Sequence, residues 1–194
     1  MSTPHVEETE RHMTEALLLM DIQNGIVDHF AADEDYLDRV VAAQVKAEAA
    51  ATPVILVRVG FREGYPEVVS NNLVFGAIKS SGGMRLGGND SQLHHRLLRG
   101  NGEIVVTKKR ISAFAGSDLG QILRALFVDH LVVGGIATSG VVLSTVREAA
   151  DLDHRITVLS DLCLDMDEEV HRVLTTKVFP MQATVIESRE WLCR

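Results

Sequence analysis

Residues Leu131–Thr145 read LVVGGIATSGVVLST. A short apolar run is followed by two glycines, a group of small and hydroxyl residues, and then the opening of a helical pattern. That order describes a buried strand that passes through a tight turn into a helix. Backbone N–H groups are exposed at such a turn, and the helix start adds partial positive charge. The turn can bind a carboxylate or stabilise an oxyanion, or its glycines can serve the backbone alone. It lacks the dinucleotide-binding glycine spacing, and no acidic residue follows at the required distance, which argues against NAD.

Other strand-length apolar runs lie on either side of it: 16–20, 54–59, 104–106, 131–133, 156–159 and 184–186. None alternates apolar with polar residues, the pattern of a strand with one wet face, so each is expected to be buried on both sides. Helical stretches separate them at 35–50 (DYLDRVVAAQVKAEAA), 117–127, 139–151 and 167–178. Ser117 and Ser139 suit helix caps, and Asp118 suits a first turn. Strands alternating with helices predict βαβ crossovers and a parallel sheet covered on both faces, an α/β fold. The exception is the Gly-rich stretch 60–101, containing FREGYP and SSGGMRLGGND. A connection of that length is expected to act as a lid or an interface.

The 194 residues suit one domain, 15–194, preceded by an acidic N-terminal tail over 1–14 without an apolar signal region. A net charge of −8 and the lack of a Lys/Arg cluster argue against nucleic acid as partner. No apolar run approaches the roughly 20 residues of a membrane span. Two cysteines, Cys163 and Cys193, are too few for a disulfide framework or a Cys-rich zinc site, and the expected compartment is the reducing cytoplasm. Both are expected to be inert thiols. His94 and His95 are adjacent, cannot share a helical face as metal ligands, and are expected at the surface.

Ligands of parallel α/β sheets collect beyond the carboxyl ends of the strands. The first strand, within LLLMDIQNG, delivers Asp21 there, and the third, within EIVVTKKRISAF, delivers Lys108. Taken singly, Asp21 suits a turn and Lys108 suits the surface. If the two strand ends approach each other, Lys108 can hold Asp21 ionised.

These segments resemble the isochorismatase-like hydrolases, the superfamily of nicotinamidases, carbamoyl amidohydrolases and isochorismatases. LLLMDIQNG resembles their Asp motif, and VVTKKRISAF their Lys motif in a form nearest the isochorismatase branch. Residues 134–161 resemble the strand–turn–helix that carries the nucleophile, and DEEVHRVL at 167–174 the usual downstream helix. The resemblance implies a three-layer α/β/α fold with a six-stranded parallel sheet, and a cis peptide bond before Ala137. It implies Asp21 and Lys108 as catalytic residues, and the backbone N–H groups of Ala137 and Val141 as an oxyanion hole. The nucleophilic cysteine falls on Val141, which has no group to attack with.

Isochorismatases of this kind cleave a vinyl ether without a thiol: an Asp protonates the enol carbon and water attacks the resulting oxocarbenium. The implied function is therefore small-molecule hydrolysis without a cysteine. The alternative is a catalytically silent member retained as a small-molecule binder or an oligomeric partner. Gln23, Arg62, Tyr65, Phe114 and Thr138 are candidate substrate contacts. Arg62 and Tyr65 fit a subunit interface equally well. Amidases of the superfamily often bind zinc through an Asp-x-His segment after the second strand, where this chain reads VRVGFREGYPE, so neither a metal nor another cofactor is expected. The resemblance also implies a homo-oligomer, a dimer or tetramer.

Overall fold

The computed structural model describes residues 14–100 and 102–193. The predicted tail therefore lies outside the described residues except for Thr14, which opens the first strand. In chain order the elements are β1 (Thr14–Met20), α1 (Asn24–His29), α2 (Glu34–Ala49), β2 (Val54–Val59) and α3 (Leu73–Ser81). They continue with β3 (Ile104–Lys108), α4 (Leu119–Ala125), β4 (Val128–Ile136), α5 (Leu143–Asp151) and β5 (Arg155–Leu164). The last are α6 (Glu168–Val173), β6 (Thr184–Ile186) and α7 (Ser188–Leu192).

The six strands form one all-parallel sheet in the order β3-β2-β1-β4-β5-β6. Side chains alternate faces along a strand, and both faces of β1 are buried. Leu18 and Met20 join one apolar cluster with Ile55, Val57, Val133, Leu119, Leu123 and Val146. Leu17 and Leu19 join another with Leu56, Val132, Tyr36, Val40 and Trp191. Helices α4 and α5 thus cover one face, and α2 and α7 the other. This two-sided burial is why the strand sequences read as continuous apolar runs.

Cap chemistry sets several helix starts. Asp33 accepts the N–H of Tyr36 at 2.8 Å, and Asp167 accepts that of Glu169 at 2.8 Å. Ser117 accepts the N–H of Leu119 at 3.2 Å, but Asp118, expected in the first turn, stands at the N-cap of α4 in its place, and α4 is shorter than the predicted 117–127. Ser139 does not cap a helix: it lies inside a wide turn, Thr138–Val142, and α5 begins only at Leu143.

The stretch 60–101 is not a bare loop. It contains α3, capped by Asn72 and ended by Gly82 at φ 74°, and a satellite apolar cluster of Val59, Phe61, Tyr65, Val68 and Phe75. Its outer face leaves Leu73 90% exposed. Among the described residues, no helix is long and apolar enough to cross a membrane.

The strand order reverses between β1 and β4, whose connections leave in opposite directions. In such sheets the crevice at this switch point, beyond the carboxyl ends, is where ligands sit. The exits of β1 and β4 meet there, with Met20 in register with Gly135. A Cβ on Gly135 would fall 2.3 Å from the Met20 carbonyl oxygen, and one on Gly134 would fall 2.8 Å from the Leu162 Cβ. Close strand approach therefore requires these two glycines.

Candidate active site

Asp21 is the first residue past β1, and its left-handed backbone (φ 58°) is one that Asp tolerates better than most residues. Its N–H donates to the Val57 carbonyl at 2.8 Å, so the turn leaves the sheet still anchored to β2. β2 separates β1 from β3, and the long Lys108 side chain reaches across its end. Lys108 Nζ lies 2.8 Å from Asp21 Oδ2 and donates to the Arg110 carbonyl at 3.0 Å. The pair is deeply buried, with Asp21 5% and Lys108 2% exposed. Burial pushes the Asp21 carboxyl above the usual carboxylate range, and the Lys108 charge opposes that shift without cancelling it. The second oxygen, Oδ1, is buried and has no hydrogen-bond partner in the structure.

The β4 exit completes the site. The Ile136–Ala137 bond is cis, as the resemblance implied. In the turn that follows, the N–H groups of Gly140 and Val142 both donate to the Ala137 carbonyl, at 3.1 and 3.2 Å. Val141 is 3% exposed and belongs to the apolar cluster that holds Met20, Val106 and Ala113. The position that the resemblance assigns to the nucleophile thus lies in the core.

The candidate substrate contacts separate from this centre. Gln23 is fully buried, and its amide is spent on backbone: Nε2 donates to the carbonyls of Val59 (2.9 Å) and Ser91 (2.8 Å), and Oε1 accepts the Val59 N–H (2.9 Å). It braces the site wall and has no amide group left for a substrate. Tyr65 is buried in the satellite cluster, with its hydroxyl on the Gly83 carbonyl at 2.8 Å. Phe114 packs against the core and stacks on His154 with ring centroids 6.1 Å apart, so its ring is occupied by protein. Thr138 is fully buried, with Oγ1 2.9 Å from His171 Nδ1. Arg62 is exposed and pairs with Glu67 at 2.5 Å.

Several contributors carried no signal of their own. Arg110 anchors the stretch 60–101 by donating to the Glu67 carbonyl at 2.9 Å. Thr145 accepts the Ala113 N–H at 2.9 Å, tying the β3 exit to α5. Asp165 accepts the Ser139 N–H at 2.7 Å. Each depends on a partner 26 or more residues away, which spacing in one segment cannot show.

Cys163 is buried, and its thiol is pushed up to about 12 by that burial, so it holds almost no thiolate at neutral pH. Cys193 is exposed. His95 is exposed as expected, but His94 is partly buried. After β2, the segment associated with zinc offers Arg62, Glu63 and Tyr65 without a histidine. No group of three or more His, Cys, Asp or Glu converges among the described residues. That donor set does not fit a zinc ion.

Residues 15–190 match the isochorismatase domain family. The chain is 31% identical to the isochorismatase family protein YecD of Escherichia coli O157:H7 over 183 residues, covering 92% of this chain and 95% of that one. It is 31% identical to the ureidoacrylate amidohydrolase RutB of Klebsiella pneumoniae over 168 residues, covering 75% and 71%. Among solved structures, a cysteine hydrolase from Pseudomonas syringae pv. phaseolicola superposes with a TM-score of 0.85 over 100% of this chain and 97% of that one, at 21% identity. A match that runs from the first strand into the last helix, over the same parallel sheet, makes this chain a member of the isochorismatase family.

Proposed function

We propose that the protein is a small-molecule hydrolase that works without a thiol, with Asp21 as its acid and Lys108 as the group that tunes it. The family's hydrolases include amidohydrolases such as the RutB relative, but an amide route through an acyl-thioester needs a nucleophile that Val141 does not supply. The observation that carries the reading is Asp21: a buried carboxyl, raised by desolvation, with one oxygen on Lys108. A carboxyl of this kind can hold a proton and deliver it.

Vinyl-ether hydrolysis fits these groups. Asp21 gives its proton to the enol carbon, leaving an oxocarbenium and a carboxylate that Lys108 stabilises. Water then adds to the oxocarbenium and loses a proton to Asp21, which restores the acid. The hemiketal formed collapses to a carbonyl compound and an alcohol. The backbone N–H groups of Ala137 and Val141 are assigned to a substrate oxygen. Assays of the whole chain on vinyl ethers, amides and carbamates test the reading. Turnover of a vinyl ether that Asp21→Asn abolishes is the expected result. Amide cleavage indifferent to Asp21 would overturn it.

A second reading draws on Val141, a buried side chain that carries no nucleophile. On that reading the protein is a silent binder or an oligomeric partner, and saturable ligand binding without turnover of any of the three substrate classes would select it. Self-association as a dimer or tetramer belongs to our proposal through the family resemblance, and the molar mass in solution tests it.

A further inference from the structure

Two side chains, one just past β5 and one on α6, clamp the turn that carries Val141. His171, on α6, meets the buried Thr138 hydroxyl through Nδ1 at 2.9 Å. Asp165, just past β5, takes the N–H of the next residue, Ser139, on Oδ2 at 2.7 Å, and its Oδ1 takes the Met166 N–H at 2.9 Å. Neither group touches the Asp21–Lys108 pair. A buried hydroxyl needs a partner, but a backbone carbonyl would satisfy Thr138 without placing an ionisable ring beside the turn.

We infer that His171 is a positioning residue: in its neutral form it accepts the Thr138 hydroxyl proton and so fixes the backbone N–H groups of Ala137–Val141 beside Asp21. With the ring neutral and Nδ1 unprotonated, the hydroxyl points at His171. Protonation puts a hydrogen on Nδ1, which then donates to the Thr138 oxygen, and the displaced hydroxyl proton must find another acceptor inside a buried turn. The clamp therefore loosens as His171 gains its charge. Burial holds the ring below the ordinary histidine value of 6.5, so the clamped form prevails at neutral pH.

The charged surroundings agree with this. Asp165 faces the ring from the β5 exit and opposes the downward shift without cancelling it. The turn 138–142 contains no titratable side chain. On α6 itself, Glu169 and Arg172 pair at 2.6 Å, Asp167 is spent on the helix cap, and Glu168 is exposed.

The test uses the whole chain labelled with ¹⁵N and read by NMR without any substrate. Nδ1 of His171 is expected in its unprotonated form at neutral pH. The amides of Ser139 and Val141 are expected to shift with the same acid midpoint as the ring. In Thr138→Val the ring still titrates, and those amides cease to follow it. Amides in the wild-type chain that ignore the titration of His171 would overturn the inference, whether or not Thr138→Val folds.

The turnover arm rests on the hydrolase reading. His171→Leu is expected to lower kcat about tenfold or more with little change in KM. The wild-type kcat is expected to fall on the acid side as His171 protonates; His171→Asn, which keeps a hydrogen-bonding atom near the Nδ1 position, restores most of the loss and removes that fall. An unchanged pH profile in His171→Asn counts against the role. If the wild-type chain hydrolyses nothing, the hydrolase reading fails, and the amide titration alone decides the positioning role.

Discussion

The two halves of the site have been built by opposite means. At the exits of β1 and β3, two ionisable groups sit almost out of reach of water, with one carboxylate oxygen unpartnered. At the exit of β4, the position that the resemblance assigns to a nucleophile holds Val141, a member of the same apolar cluster as Met20, Val106 and Ala113. Burying charges costs several kcal/mol per ion, whereas burying a valine contributes about 1.5–3 kcal/mol. Stability alone would favour apolar residues in both halves. The charged half is thus the one kept at a cost, and our assignment of chemistry to Asp21 follows from that difference.

The largest expected effect falls on turnover. Asp21→Asn keeps the shape and removes the proton, and kcat for vinyl-ether hydrolysis should fall about 10²–10⁴-fold. Steady-state kinetics with the whole chain check it, and a loss below tenfold would break the contrast between the halves.

Next comes Lys108→Met, which strands the Asp21 carboxyl in the interior. Removing one member of a buried pair destabilises by about 3–5 kcal/mol at neutral pH. Lys108 lowers the Asp21 pKa in the wild type, so its loss raises that pKa further. A raised folded-state carboxyl makes the native chain hold a proton that the unfolded chain has released. Its stability therefore falls as pH rises from the ordinary carboxylate value toward the raised one. The deficit of Lys108→Met in urea unfolding should accordingly grow from acid to neutral pH. A deficit independent of pH would show that the pair is not what is being measured.

The apolar half should be far more tolerant. Val141→Cys is a small, volume-conserving change, expected to cost less than about 1.5 kcal/mol. In a Cys193→Ser background it asks whether the turn still activates a thiol. Stoichiometric alkylation of the thiol introduced by Val141→Cys, with Cys163 unmodified, is the outcome that sharpens the comparison.

The smallest effect is none at all. Alkylating Cys193 in the wild-type chain should leave turnover unchanged, because Cys193 lies at the surface and the Cys163 thiol is held neutral by burial. Loss of activity in proportion to modification, with far-UV circular dichroism preserved, would show that the nucleophile had been sought in the wrong place.

The strands were legible because burial on both faces leaves a one-dimensional signature, and 54–59 and 184–186 coincide with β2 and β6. Helix α3 was not legible: it buries only Phe75 and exposes Leu73 and Val74, so it has no apolar stripe to read. Asp21 and Lys108 were legible because each ends an apolar run, and the structure brings them together across β2. The orientations of Gln23, Tyr65 and Phe114 were not, because a polar or aromatic residue near a strand end can face the crevice or brace its wall. In all three the protein itself took up the side chain. His171 sat in a segment that matched a helix and gave no hint of Thr138, 33 residues earlier.

Gln23 has a consequence for time rather than for structure. Its side-chain amide pairs with both the N–H and the carbonyl of Val59, as one more strand residue would, while also holding Ser91. Ser91 is thereby latched to the end of β2 by a single peptide-like group. Releasing the latch strands several buried donors and acceptors, at about 1–3 kcal/mol for each one left unsatisfied. Opening of this segment is then a rare, cooperative excursion on the scale of local unfolding, and not the nanosecond flutter of a surface loop. The Val59 amide becomes its clock: its hydrogen-exchange rate reports how often the Gln23 bonds to Val59 and Ser91 open.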